Sequence, residues 1–145
     1  MDLDALARGL LASEGDALLA VDGNGFIRFW SPGAVRIFGF SQAEAVGAPL
    51  DLIVPETLRA RHNEGFAKVM ASGHTRYGSG DLLAVPALTC GGRRISVEFT
   101  IMMVRDAEGA LEGMAAIMRD VTTKFEETRA LRNKIAALAP HVRDA

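Results

Sequence analysis

The chain has 145 residues, 49% hydrophobic and 23% charged, which is enough apolar side chain for the core of one globular domain. A formal net charge of −2 leaves no basic surplus, which excludes neither fold nor ligand but argues against nucleic acid or an anionic membrane surface as a partner. The lone Cys90 rules out an intrachain disulfide, no apolar run nears the ~18 residues of a membrane span, and Met1–Asp4 lacks the basic start of a signal peptide, so a cytoplasmic protein is expected.

Leu3, Leu6, Leu10 and Leu11 recur at helical spacing, which predicts a short amphipathic helix over about 4–13. Ala17–Asp22 and Gly25–Trp30 are β-rich runs flanking Asp22-Gly23-Asn24-Gly25, a hairpin signal in which Asn and Gly tolerate positive φ. Ser31-Pro32 reads as N-cap and first residue of a helix with Ala34, Ile37 and Phe38 on its apolar side and Gly39 as its stop. Ser41 and Glu44 form a capping-box pattern for another short helix, broken by Gly47 and Pro49. Pro55 opens a longer helix to about 71 with the stripe Leu58, His62, Phe66, Val69 and Met70, ended by Gly73.

Three strands follow. The first spans Tyr77–Leu88, where glycines and Pro86 suggest an edge or a bulge. After the Cys90-Gly91-Gly92 turn, Arg94–Arg105 alternates with Ile95, Val97, Phe99, Ile101 and Met103 on one face. Ala110–Val121 completes the sheet. Thr122 starts a charged helix to about 138, with a sparse seam of Val121, Thr128, Leu131, Ile135 and Leu138, and Pro140 is expected to end it. The sum is an α+β fold: a five-stranded antiparallel sheet with helices packed on one face, plus an N-terminal flanking helix and a C-terminal exit helix.

Several of these segments, taken in order, resemble PAS domains. Phe29-Trp30-Ser31-Pro32-Gly33-Ala34 and Ile37-Phe38-Gly39-Phe40-Ser41 are similar to the family's N-x-A-A-x-x-x-F-G-Y-S helix, and Glu44-Ala45-Val46-Gly47 to the E-x-x-G step after it. Arg93–Glu98 looks like the central strand, and Met118-Arg119-Asp120-Val121-Thr122 like the closing x-R-D-(I/V)-T signature. The similarity covers about 14–124, with Ser31 where the family often has Asn and Cys90-Gly91-Gly92 where it often has Asp-Gly. It implies a sensor domain over 15–122, followed by a signalling helix and tail at 123–145, while the Leu3–Leu11 stripe of the helix at 1–14, which cannot be buried by itself, points to dimerisation. It also implies a small ligand, flavin, haem or no ligand, a homodimer, an effector partner such as a kinase or regulator, and no catalytic activity.

His62 lies on the apolar stripe, and Arg59-Ala60-Arg61-His62 resembles the segment carrying the proximal histidine in one group of haem-binding PAS sensors. His62 is therefore the candidate metal ligand, and its alternative is a half-buried histidine bonded to a neighbour. Phe66, Met70, Phe99, Ile101 and Met103 are the expected apolar lining of a ligand or cofactor pocket, with plain core packing as the alternative. Arg76 and Arg61 are the candidate partners for haem propionates or a carboxylate ligand, with solvated surface arginines as the alternative. His74 follows Gly73 in a loop and is expected to be solvent-exposed. Cys90 is expected in a turn, and the Asn-Cys-Arg motif of flavin photosensors is absent. Two functions remain open: a sensor that binds a small ligand or cofactor and relays through dimer and exit helix, or a ligand-free dimerisation module.

Overall fold

The computed structural model describes residues 1–143 except Tyr77, Ser79 and Asp81, with backbone alone for 139–143. Strands β1 (Ala17–Asp22), β2 (Ile27–Trp30), β3 (Leu83–Leu88), β4 (Arg94–Arg105) and β5 (Leu111–Asp120) form one antiparallel sheet of five strands in the order β2-β1-β5-β4-β3. The chain crosses from the β2 edge to the β3 edge through α2 (Pro32–Phe38), α3 (Gln42–Ala45), 3-10 turns at Leu50–Ile53 and Glu56–Leu58, and α4 (Arg59–Ser72). Helices α1 (Leu3–Leu11) and α5 (Thr122–Arg143) flank this body, and no described helix is long and apolar enough to cross a membrane.

The strand alternation that the sequence carries sorts the core. Ala17, Leu19 and Val21 of β1 stand opposite Met118, Ala116 and Met114 of β5 on the inner face. Ile95 and Val97 of β4 share that face, and both are buried. Trp30 and Phe38 are the largest fully buried side chains, with ring centroids 5.5 Å apart, and the Trp30 indole N–H donates to the Phe40 carbonyl at 3.0 Å. Ser31 is buried because its hydroxyl has two tasks. It accepts from the Ala34 N–H at 3.2 Å as N-cap of α2, and from the Leu18 N–H at 2.9 Å, which ties that helix to β1.

Local chemistry explains the departures from the sequence reading. In the β1–β2 hairpin only Gly25 has positive φ, at 83°, so Asn24 needs none: Asp22–Gly25 is closed by the Gly25 N–H on the Asp22 carbonyl at 3.0 Å, and Gly25 forms the bulge that re-enters the ladder. Strand β3 is shorter than the run that suggested it, and Tyr77, where that run starts, lies outside the described residues. Pro86 is accommodated because β3 is the sheet edge, where a missing N–H breaks no second ladder. Helix α5 continues through Pro140 to Arg143, because a proline forfeits one helical hydrogen bond without forbidding the backbone path.

Among the described residues, apolar surfaces on α1, α5 and the outer sheet face are uncovered. Leu3, Leu6, Leu10 and Leu11 of α1 and Phe125, Leu131, Ile135 and Leu138 of α5 are exposed. On the outer sheet face Met102 stands opposite Ala115, beside Ile117, and both Met102 and Ile117 are exposed. Such faces are unusual on a solitary small domain.

Candidate functional site

The β1–β2 turn meets helix α4 across a cleft. Segment 47–50 runs along β2: the Gly47 N–H donates to the Ile27 carbonyl at 2.8 Å, the Ile27 N–H to the Ala48 carbonyl at 2.8 Å, and the Leu50 N–H to the Gly25 carbonyl at 3.0 Å. This pairing sets Pro49, Leu50 and Asp51 beside the turn. Helix α4 closes the other side. Its Phe66 ring lies 3.6 Å from where a Cβ on Gly25 would stand, and its Met70 methyl 3.3 Å from that position on Gly23. At its far end the Gly73 carbonyl accepts from the Arg105 guanidinium of β4 at 3.0 Å.

The cleft so formed holds about 350 Å³ and is lined by Gly23, Asn24, Gly25 and Pro49–Asp51 on one side and by His62, Asn63, Phe66 and Ala67 of α4 on the other. Its polar wall is a chain of long hydrogen bonds. The Asn63 amide donates to Asp51 Oδ2 at 3.4 Å, and its carbonyl oxygen lies 3.5 Å from His62 Nδ1. Asp51 Oδ1 is buried and has no hydrogen-bond partner among the described residues.

The candidate residues divide between two places. His62 and Phe66 line the cleft, and Met70 packs beside it on Gly23. Phe99, Ile101 and Met103 of β4 are half-buried on the inner sheet face, opposite Met118, Ala116 and Met114, and do not line it. Arg76 is exposed in the loop after α4, and so is His74. Cys90 is exposed, its N–H donating to the Phe38 carbonyl at 2.7 Å. No described group of three or more His, Cys, Asp and Glu side chains is spaced to hold a metal ion.

Haem is a poor match for the lining at His62. It brings two carboxylates of its own and needs cationic or donor-rich surroundings for them. Among the described residues the lining holds the Asp51 carboxylate, an anion, and no lysine or arginine.

A family profile described as the PAS fold matches residues 11–125. The chain belongs to this PAS-fold family. Among curated proteins it is similar to the sensor protein FixL of Bradyrhizobium diazoefficiens, with 25% identity over 93% of this chain, which spans 26% of that protein. Among solved structures it superposes on the PAS domain of a Colwellia psychrerythraea protein with TM-score 0.65 at 22% identity, covering 83% of this chain and 98% of that one. An RNA-binding light-oxygen-voltage receptor matches with TM-score 0.70 at 18% identity, over 99% of this chain and 39% of that one. Both superpositions establish the fold.

At the end of the PAS sheet opposite the cleft, the exit helix is tied down. Asp120 Oδ1 accepts from the Thr122 N–H at 2.9 Å and from the Thr122 hydroxyl. Thr122 Oγ1 in turn accepts from the Ser96 N–H at 3.0 Å, and the Val121 N–H donates to the Ser96 carbonyl at 2.9 Å. The first turn of α5 therefore cannot shift without moving the start of β4. Nearby, the Arg119 guanidinium grips Asp16 with Nε to Oδ1 at 3.1 Å and Nη2 to Oδ2 at 3.0 Å, joining the end of β5 to the segment between α1 and β1.

That hydrogen bond from Arg119 holds the Asp16 carboxyl below its ordinary value; desolvation opposes it, and the Arg119 and Arg36 charges assist. A depressed folded-state pKa contributes stability above the unfolded value of about 3.9 and loses it as pH falls through the folded value. Arg119→Ala is expected to lower the urea midpoint slightly at neutral pH, the effect being small because Arg119 is 70% exposed. The gap between variant and parent should close in acid, below the folded pKa of Asp16; a gap unchanged by pH would contradict this.

Sequence reasoning missed Asp51, Asn63 and Asn24. A signal for Asp51 was available: it is the one charged residue in the run Leu50–Val54 between Pro49 and Pro55. For Asn63 there was none, since an asparagine beside a stripe residue usually faces water.

Proposed function

We propose that the chain is a cytoplasmic, non-catalytic sensor module. In this reading a small ligand enters the cleft between α4 and the β1–β2 turn. Its binding shifts the Phe66 and Met70 contacts on Gly23 and Gly25. Strand β5 carries the change, because it starts beside the turn, with the Glu112 carbonyl 3.8 Å from a Cβ position on Gly23, and ends at Asp120, which anchors α5. The observation that carries the reading is this placement of cleft and exit-helix anchor at opposite ends of one strand. The ligand need only favour one of two arrangements of α5.

The exposed seams of α1 and α5 support a homodimer, with the α5 seam of Leu131, Ile135 and Leu138 at heptad spacing. The chain spans about a quarter of the FixL protein it resembles, and an effector reached through α5 fits that proportion. Light scattering on the purified chain is expected to give the mass of a dimer, and Leu131→Glu with Ile135→Glu the mass of a folded monomer. A parent that is already monomeric would sink the relay through a dimer. The same sample should be colourless; a Soret band lost in His62→Ala would replace the small ligand with haem.

A further inference from the structure

The charge and hydrogen bonding of the cleft select among small ligands. Resting on the reading that this cleft is the ligand site, we propose that it takes a small organic cation, a primary ammonium or amidinium joined to a flat apolar group. The polar wall asks for a donor. A carboxylate has acceptor sites for about four hydrogen bonds. Among the described residues one Asp51 oxygen, which is buried, has no partner, and the other accepts from Asn63 at 3.4 Å. Asp51 is half-buried, so this carboxylate on the cleft wall keeps hydrogen-bonding capacity that a donor from outside the chain can fill.

Among the described residues the lining holds no lysine or arginine to pair with that carboxylate. The His62 ring meets Asn63, with Nδ1 3.5 Å from Asn63 Oδ1. The Asn63 amide is the weak link at 3.4 Å. A charged N–H donor displaces it from Oδ2, and rotation of the carboxylate about its terminal torsion then offers the second oxygen as well. An anionic ligand meets the opposite situation, with Asp51 repelling it and no cation to hold it.

The other walls set the rest of the ligand. Phe66 stands over Gly25, and Pro49 and Leu50 continue the apolar side, so a flat hydrophobic group is covered on one face by an aromatic ring. A cation beside that ring gains from its face as well. A volume of about 350 Å³ suits a single ring with a short amine arm and not an extended cofactor.

Benzylamine, benzyl alcohol and benzoate carry the same ring with a cation, a neutral donor and an anion. Each is titrated into the ¹⁵N-labelled full chain while the amide signals of Asn24, Asn63 and Phe66 are followed. Benzylamine is expected to shift these signals saturably, benzyl alcohol to bind about tenfold more weakly or worse, and benzoate to leave them unmoved. Asp51→Asn should bring the amine down to the alcohol. Ala67→Phe, at an exposed position of the lining, should block the amine without touching the carboxylate, which separates loss of the site from loss of the fold. Benzoate binding at these signals as tightly as benzylamine would overturn the charge assignment and leave the cleft as a ligand site. Failure of all three compounds to move any cleft signal would overturn both.

Discussion

Gly33→Ala is expected to be among the most damaging single-methyl changes in this domain. Gly33 lies in the first turn of α2, where alanine is normally preferred to glycine by about 1 kcal/mol. The environment reverses that preference. A Cβ on Gly33 would fall on the Asp16 carbonyl oxygen, 2.7 Å from the Asp16 carbonyl carbon and 3.2 Å from the Ser13 carbonyl oxygen. All are backbone atoms, so no side-chain rotation relieves the clash. The Gly33 N–H also donates to the Ser13 carbonyl at 3.0 Å, so moving α2 away breaks the bond that docks it. A loss of about 3 kcal/mol is expected, the upper end for overpacking, read as a lower urea midpoint at unchanged slope. A gain of stability would mean that the helix does not sit this close to the segment before β1.

The second large effect belongs to Trp30. It is 1% exposed, packs on Phe38, and its indole N–H satisfies the Phe40 carbonyl. Trp30→Ala removes the largest side chain of the core and leaves that carbonyl without its donor. Loss of about 4 kcal/mol is expected, a large share of the roughly 5–15 kcal/mol that holds a domain of this size together. Trp30→Phe keeps the apolar volume and loses the hydrogen bond, so it should cost clearly less. Equal losses in the two variants would assign the effect to the Phe40 carbonyl and not to packing.

Much of this fold was legible because its signals are local. Alternation fixed Arg94–Arg105 to the residue, capping chemistry placed Ser31 and Ser41, and the Leu3–Leu11 stripe marked a helix whose leucines are exposed among the described residues. Signals that are not local leave little trace in the sequence. The stripe Leu58–Met70 says that α4 has a preferred side, and not which neighbour that side meets. Its His62 and Phe66 lean toward the β1–β2 turn, apart from Phe99, Ile101 and Met103, which alternation alone had placed in the same pocket. Asp51 reaches the cleft because segment 47–50 pairs with β2, a contact between irregular chain and strand edge that leaves no periodic trace. The Thr122–Ser96 link, between residues far apart in sequence, is equally silent until the sheet is formed.

The proposed mechanical connection between the cleft and the exit helix can be tested without knowing the ligand. Ala67→Phe fills the cleft from an exposed position on α4 and leaves the sheet and α5 untouched. Amide hydrogen exchange, resolved at Ser96 and over Thr122–Phe125, compares this variant with the parent. A change of protection at these amides, with the buried strands Leu19–Val21 and Ile95–Val97 otherwise unaltered, is the predicted result. Identical exchange at Ser96 and Thr122–Phe125 in a variant whose cleft is filled would show that cleft and exit helix are uncoupled, and would contradict the account.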